Sequence, residues 1–387
     1  MKNTYINAFN FLISTVNKII VTNYIFFIYG EESLANVTLF FALNGLSLIV
    51  GSIVELEISK NNIKLNYSIG LFILLNILFV TTLFLISDQD SGSIFNSLLI
   101  IFWILANGNL LVSGIYFRAN QFFRYRSFCI LSEVIELSVF LLVITYYNKP
   151  LLAVLLSLVC KNATLATLTW IHYIKNKHLG FFDLFELRYP KKSYVRSLKW
   201  LTSFSDTFGS IAVASILPYI ISEFWGKTTL GNYVFYKQFF SIGLLLQVAV
   251  FKGVWRDHIS GNLVNKFIDI FKYIGFIVPL AILVIGGLIF RETERFEIFI
   301  SSGIIITILS YSRSIVYTAG HLTNRVIFNQ EITFVFIFSI VTLFNLLSGS
   351  LINFLYCTVV SSLLWLIIRI SIYALHNSNE CKGNESK

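Results

Sequence analysis

Four basic residues stand inside apolar stretches that are long enough to cross a membrane. A Lys or Arg at the centre of such a helix costs about 2.5–3.5 kcal/mol, so its side chain usually turns toward a partner, water or an anion. The four residues are Lys18, Lys161, Lys237 and Arg313. A neighbouring carboxylate would satisfy each of them as well as a bound anion would. Together they predict a basic central cavity, and phosphoryl oxygens are ligands that such donors bind well.

Polar and acidic side chains accompany these cations at helical spacing, and stripes of this kind are expected to line a wet cavity. The predicted polar lining consists of Asn10, Ser14, Asn17, Asn44, Ser47 and Ser210. Glu133, Glu136 and Asp206 are candidates for coupling to H⁺ or Na⁺, because acidic groups at such depth bind protons and small cations. For the two glutamates, a structural ion pair with a lysine and snorkelling toward the headgroups remain open alternatives.

The elements that position these residues are membrane helices. The chain is 56% hydrophobic and only 13% charged, with a mean hydropathy of +0.76, which is typical of a membrane protein. At about 20 apolar residues per span, the sequence predicts an all-α polytopic membrane protein with about twelve transmembrane helices. They cover 6–28, 36–55, 67–87, 95–116, 128–147, 151–172, 200–224, 232–252, 268–290, 297–317, 332–348 and 351–374.

The basic residues of the connections are distributed unevenly. One set of alternate connections holds most of the Lys and Arg residues, whereas the opposite set holds only Lys149, Lys227, Arg291 and Arg295. The positive-inside rule therefore predicts that both termini and the basic loops are cytoplasmic. The net charge of +9 is then explained by the basic residues that orient the chain in the lipid bilayer, and no nucleic-acid partner is expected.

Two short segments about half a chain apart read alike, one beginning at Gly30 and the other at Gly226. Their spacing predicts two six-helix halves related by a pseudo-two-fold axis along the membrane normal, with a central cavity between them. The predicted units are an N-terminal lobe at 1–174, a cytoplasmic linker at 175–199 and a C-terminal lobe at 200–387. The alternative is that glycine and asparagine only supply turn geometry at two unrelated loops.

No feature of the sequence predicts a catalytic or metal centre. The four cysteines and five histidines are scattered without metal-ligand spacing, so no metal or cofactor is expected. The connections on the side opposite the basic loops are short and leave no room for a catalytic domain. We therefore expect a transporter and not an enzyme.

Three features of the sequence resemble one transporter family. They are the twelve spans, the turn Gly-x-x-x-Leu-(Ala/Gly)-Asn after the first and seventh predicted helices, and the run Leu230-Gly231-Asn232-Tyr233. The chain is similar to the polysaccharide flippases of the multidrug/oligosaccharidyl-lipid/polysaccharide exporter superfamily, and within it to the Wzx-type O-antigen unit translocases. The resemblance implies transfer of an undecaprenyl-pyrophosphate-linked oligosaccharide from the cytoplasmic to the periplasmic leaflet of the bacterial inner membrane, by alternating access and with ion coupling. It also implies a cationic lumen, which the four deep cations would supply, and contact with the O-antigen polymerase machinery.

Two other functions are compatible with parts of this pattern. A multidrug cation antiporter of the same superfamily would share the fold, but its cavity should be dominated by acidic residues. An O-antigen polymerase would have similar hydropathy, but it should carry a large periplasmic loop for sugar-transfer chemistry. The largest predicted loop on that side is the short Ser87–Ser93 connection.

Overall fold

The computed structural model describes residues 2–59, 93–118, 121–175, 216–240, 265–290, 296–318 and 349–371, with 362, 365, 369 and 370 omitted. Helices account for nearly all of these residues, and no strand occurs among them. Five of the described helices are long and apolar enough to cross a membrane. The predicted all-α polytopic fold is therefore confirmed.

The helices are numbered here in chain order. They are α1 (Lys2–Ser59), α2 (Ser93–Arg118), α3 (Phe122–Tyr147), α4 (Pro150–Lys175), α5 (Ile216–Trp225), α6 (227–240), α7 (Asn265–Phe290), α8 (Phe296–Thr318) and α9 (Leu351–Ile368). Each overlaps a predicted span, and α1 contains the first two. The predicted spans 67–87 and 332–348, the linker after Lys175 and residues 87–92 of the Ser87–Ser93 connection lie outside the described residues. The lobe boundaries stay predictions.

A single residue breaks the long helix α1. Gly30 has φ +83° and ψ 178°, so the two arms of α1 meet at one non-helical residue. Gly226 repeats this geometry between α5 and α6 with φ +86°. Both sites are thus turns between helices, as predicted. Each turn is tighter than the seven-residue pattern suggests, because the residues after each glycine are already helical.

A second feature, a hydrogen bond from an aromatic side chain to a later turn, is repeated in the two halves. In the first half, the Tyr29 hydroxyl donates to Asn148 Oδ1 at 3.1 Å, and in the second half Trp225 Nε1 donates to the Gly349 carbonyl at 3.1 Å. Asn148 and Gly349 both have positive φ, at 51° and 69°. In each half, the aromatic residue that precedes the helix-breaking glycine therefore bonds to the turn before a later helix, which is α4 in the first half and α9 in the second. This match supports two equivalent halves.

Each half has an apolar core, and the two cores meet at α1 and α6, since Ala35 of α1 is buried in the second core and Phe235 of α6 packs against the first. Ile25 and Leu34 are buried in the first core, and their counterparts Ile221 and Leu230 are buried in the second. Across the contact, the rings of Phe26 and Phe235 stack with centroids 4.0 Å apart. Gln238 Nε2 also donates to Asn23 Oδ1 at 3.3 Å, and Tyr219 of α5 donates to the Leu39 carbonyl at 3.1 Å.

We expect Gly30→Ala to destabilise the protein by about 1–3 kcal/mol, because its φ and ψ fall in a region that is essentially restricted to glycine. A Cβ built on Gly30 has no atom within 4 Å, so the cost comes from the backbone alone. Thermal unfolding in lipid nanodiscs, followed by tryptophan fluorescence, would measure the loss. Gly108→Ala is the matched control, because Gly108 is helical and its Cβ would also meet open space. Equal melting temperatures for the two variants would contradict the prediction.

Candidate functional site

Three ionisable side chains meet inside the first half. Lys161 of α4 places its Nζ 2.7 Å from Glu133 Oε1 and 2.6 Å from Glu136 Oε2, both on α3. The Glu133 side chain is only 6% exposed, Glu136 16% and Lys161 20%. The spacing of three residues on one helix face brings both carboxylates to the same ammonium group. Of the open interpretations of the glutamates, this geometry directly shows the ion pair with a lysine.

Helix α1 contributes two neighbouring residues to this cluster. Asn17 Nδ2 donates to the Glu133 carbonyl oxygen at 2.8 Å and lies 3.4 Å from Glu133 Oε2. Lys18 is exposed, and it lies within electrostatic range of Lys161, Glu133 and Glu136. With all groups ionised, the two lysines balance the two glutamates. The cluster of Lys18, Lys161, Glu133 and Glu136 thus holds no large surplus of either charge.

The polar stripe of α1 faces the interior of its own half. Asn10 and Asn17 are each 5% exposed and Ser14 is partly buried, whereas the prediction had placed all three along an open cavity. For Asn17 the reason is that Glu133 of α3 offers it polar partners inside the lobe, and burying an amide against such partners costs less than burying it against hydrocarbon. Asn10 and Asn17 are therefore buried in this structure, and their role as cavity lining stays a prediction.

One exposed stripe of α1 is apolar. Exposed large apolar residues recur along it at helical spacing: Tyr5, Phe9, Leu12, Val16, Ile20 and Phe27. The same stripe continues through Asn23 and Phe27, where α1 contacts Gln238 and Phe235 of α6. The stripe therefore contacts the second half at Asn23 and Phe27, and its apolar side chains stay exposed on both sides of Asn23.

The other predicted site residues are placed only in part. Lys237 is half-buried on α6, and its Nζ lies 5.4 Å from the centre of the Tyr233 ring. Arg313 belongs to α8, and Asn44 and Ser47 to α1, but their side chains lie outside the described residues. Asp206 and Ser210 also lie outside them. The structure therefore brings Lys18 and Lys161 together, and a four-cation cavity stays a prediction.

Other buried polar residues in the first half went unnoticed in the sequence. Asn107 of α2 is fully buried, and Asn109 donates to the Asn162 carbonyl at 3.0 Å, linking α2 to α4. At the end of these helices, Tyr116 Oη lies 2.9 Å from His172 Nδ1, and Arg124 Nη1 lies 2.9 Å from His172 Nε2. The criterion applied to α1, a polar residue in an apolar span, would have found the asparagines.

In sequence, the chain matches no protein-family model and no curated protein. In structure, it superimposes over nearly its whole length on solved transporters. The chain has the MATE fold. The superposition on the crystal structure of MATE in complex with MaD5 covers 99% of this chain and 96% of that chain, with a TM-score of 0.61 and 12% sequence identity.

A multidrug resistance MATE family transporter of the MOP superfamily matches in two conformations. The inward-facing form gives a TM-score of 0.58 at 13% identity and covers 95% of this chain and 96% of that one. The outward-facing form gives a TM-score of 0.58 at 13% identity and covers 98% of this chain and 96% of that one. The similarity confirms the two-half architecture of a multi-pass membrane protein and favours neither conformation.

Proposed function

We propose that the protein is a transporter that works by alternating access and moves an undecaprenyl-pyrophosphate-linked oligosaccharide from the cytoplasmic to the periplasmic leaflet of the bacterial inner membrane. Both termini would then be cytoplasmic. Such a substrate combines a long apolar tail, a strongly anionic pyrophosphate and a polar glycan. A protein that carries it needs an apolar path, cations and hydrogen-bonding groups within one cavity.

The observation that carries the proposal is that α1 and α6, the helices through which the halves touch, each carry a lysine. Lys237 immediately precedes Gln238, which bonds to Asn23. Lys18 lies about 7.5 Å along α1 from Asn23 at about 1.5 Å per residue, on the side of α1 that carries the cluster with Lys161. Among the described side chains, the only acidic groups away from helix ends and the Gly30 break are Glu133 and Glu136, and both bind Lys161. Because Lys18, Lys161, Glu133 and Glu136 balance one another, Lys237 supplies the net positive charge among these described groups, and this charge favours an anionic substrate.

The exposed apolar face of α1 supports an amphiphilic substrate over a small soluble anion. Its aromatic and aliphatic side chains reach from Tyr5 to Ile20, so this stripe offers a surface that can contact sugar rings or part of a lipid tail. In the proposed cycle, the pyrophosphate enters between the halves and meets Lys18 and Lys237. The halves then rock about α1 and α6 and open toward the other leaflet.

Ion coupling would act through the buried cluster. If Glu133 or Glu136 binds a proton, or if a Na⁺ ion joins them, the cluster gains one positive charge and Lys18 is less strongly held by the carboxylates. Lys18 is the exposed member, so this change would strengthen its interaction with an anion. The cluster could thus link ion binding inside one half to substrate binding beside it.

A multidrug cation antiporter is the second candidate, and the similarity to multidrug resistance MATE transporters favours it. In that case Glu133 and Glu136 would have to be released from Lys161 to bind a cation. The ion pairs of 2.6–2.7 Å work against this role, because both carboxylates already have a cationic partner.

The double variant Lys18→Gln/Lys237→Gln should reduce flipping of the lipid-linked oligosaccharide in proteoliposomes by at least about ten-fold. Hydrogen bonds to charged groups contribute about 1.5–3 kcal/mol each, which is about ten-fold or more per lysine. The matched control is Lys149→Gln/Lys227→Gln, which removes the same charge from two exposed lysines near the turns and should leave the rate unchanged.

An ethidium-efflux assay on the same vesicles separates the two candidate functions. Wild-type flipping by the Lys18/Lys237 double variant would overturn the proposed anion site. Efflux of ethidium that depends on Glu133 and Glu136, without flipping of the glycolipid, would establish the antiporter instead.

A further inference from the structure

A groove runs along the outside of the first half between α2 and α4. Its volume is about 310 Å³, and Ile104, Gly108, Leu111, Tyr116, Trp170 and Tyr173 are among its lining residues. The polar side chains in its wall are satisfied within the protein, since Asn109 bonds to Asn162, and Thr169 to the Leu165 carbonyl. A Cβ on Gly108 would meet no atom within 4 Å, so the groove is open at this point. The surface offered to an occupant is thus almost entirely apolar.

The length and position of the groove match one leaflet of a bilayer. From Ile104 to Tyr116, α2 advances by about 18 Å at about 1.5 Å per residue. The hydrocarbon core of a bilayer is about 30 Å thick, or about 15 Å per leaflet. The groove begins near the middle of α2 and ends at Tyr116 and Tyr173, close to the ends of both helices. Trp170 is 51% exposed on its rim, at a depth where aromatic residues favour the membrane interface.

The end of the groove at Tyr116 is basic. Arg124 and Lys175 are exposed there, and neither α2 nor α4 contains an Asp or Glu. The Arg124 guanidinium uses Nη1 to donate to His172 Nε2 at 2.9 Å. The same histidine then donates from Nδ1 to Tyr116 Oη, because arginine can only donate. A guanidinium has five N–H donors, so this bond fixes Arg124 beside the groove and leaves donors for a phosphate.

We propose that this groove is a binding site for an anionic phospholipid, which lays one acyl chain between α2 and α4 and places its phosphate at Arg124. A leaflet-deep apolar groove with a cationic end is complementary to a lipid that has an apolar chain and an anionic head. The site lies on the outside of the first half and does not depend on which substrate the transporter moves.

Trp170 provides a direct probe, because bromine atoms on an acyl chain quench the fluorescence of a tryptophan that they contact. The full-length protein is reconstituted with increasing fractions of phosphatidylglycerol or phosphatidylcholine carrying the same dibrominated chains. The difference between wild type and Trp170→Phe isolates the signal of Trp170 from that of the other tryptophans. We expect half-maximal quenching at an about five-fold lower mole fraction of phosphatidylglycerol, since one cation near the membrane surface contributes about that factor.

Three variants test the two parts of the site. Arg124→Gln should remove the preference for phosphatidylglycerol, whereas Arg124→Lys should retain most of it. Gly108→Phe should fill the groove and lower the quenching by both lipids, with the helical circular dichroism unchanged. Lys149→Gln is the matched control for net charge, because Lys149 is an exposed lysine at the opposite end of α3 and α4, and it should leave the preference intact.

Equal quenching by the two lipids in the wild type would overturn the proposal. So would a preference that persists in Arg124→Gln, even if Gly108→Phe failed to fold. If undecaprenyl phosphate, added as an unbrominated competitor, relieves the quenching at a far lower mole fraction than unbrominated phosphatidylglycerol does, the groove belongs to the polyprenyl tail and the assignment to a phospholipid is wrong. A failure of the phosphatidylglycerol arms leaves the proposed transport function untouched, since that function rests on Lys18 and Lys237 and not on residues of the groove.

Discussion

Replacing Lys161 with Met should destabilise the protein by about 3 kcal/mol or more. The change leaves Glu133 and Glu136 close together in the interior of the first half without the ammonium that now lies 2.6–2.7 Å from both. Removing one member of a buried ion pair costs about 3–5 kcal/mol, because the remaining charge is uncompensated. Unfolding in mixed micelles with increasing SDS, followed by tryptophan fluorescence, would measure the loss.

The same cluster offers a rescue and a control. Glu133→Gln and Glu136→Gln, added to Lys161→Met, should recover most of the lost stability, since neutral side chains no longer require a counter-ion. Lys149→Met removes an exposed lysine and should change the stability by less than about 0.5 kcal/mol. A Lys161→Met protein as stable as wild type would show that the ion pairs do not hold the lobe together.

The rescued triple variant also separates structure from transport. It should fold, yet the proposed flipping activity should lose the dependence on a proton or sodium gradient that Glu133 and Glu136 would provide, because these two of the three candidate coupling carboxylates are absent. Flipping by the triple variant that still responds to the gradient would place ion coupling elsewhere in the chain.

Replacing Gly231 with Ala should push the two halves apart at the glycine turns. A Cβ on Gly231 would overlap the Glu31 carbonyl oxygen and lie 2.7 Å from its carbon and 2.9 Å from its Cα. These are backbone atoms of the other half, so no side-chain rotation relieves the clash. Overpacking of this kind costs about 1–3 kcal/mol, which would shift the population of the closed contact by about 5- to 150-fold. If the protein moves its substrate by alternating access, as proposed, both states are needed and transport should fall by about five-fold or more.

Spin labels would detect this separation. Cysteines at Glu32 and Thr228, which are both exposed next to the turns, would carry the labels in a variant whose four native cysteines are replaced by alanine. Double electron–electron resonance should show the label distance of Gly231→Ala shifted to longer values. Gly108→Ala adds the same methyl group at an open helical position and should leave the distances unchanged. An unchanged distance distribution in Gly231→Ala would show that the halves do not meet tightly at this point.

Several residues that the sequence predicted at the site have other neighbours in the structure than expected, and the reason is the same for each. Hydropathy identifies a charged residue inside a span but not the direction in which its side chain points. Lys161 was predicted to bind substrate, and α3 supplies it with two carboxylates. Asn10 and Asn17 were predicted to line the cavity, and their helix turns them inward. A rotation of α1 about its axis is decided by contacts with α2, α3 and α4, and these contacts are far apart in the sequence.

The sequence by itself determined the membrane helices and their approximate ends, because a bilayer requires about 20 apolar residues per span. It also indicated the doubling, since Gly30 and Gly226 supply a positive φ that few other residues tolerate. Only the tertiary structure decided that Tyr29 and Trp225 hold equivalent turns, that Gly231 lies against Glu31, and that Lys161 joins Glu133 and Glu136. Each of these contacts joins residues on separate helices. Their geometry follows from how whole helices pack, which composition and periodicity along one helix do not specify.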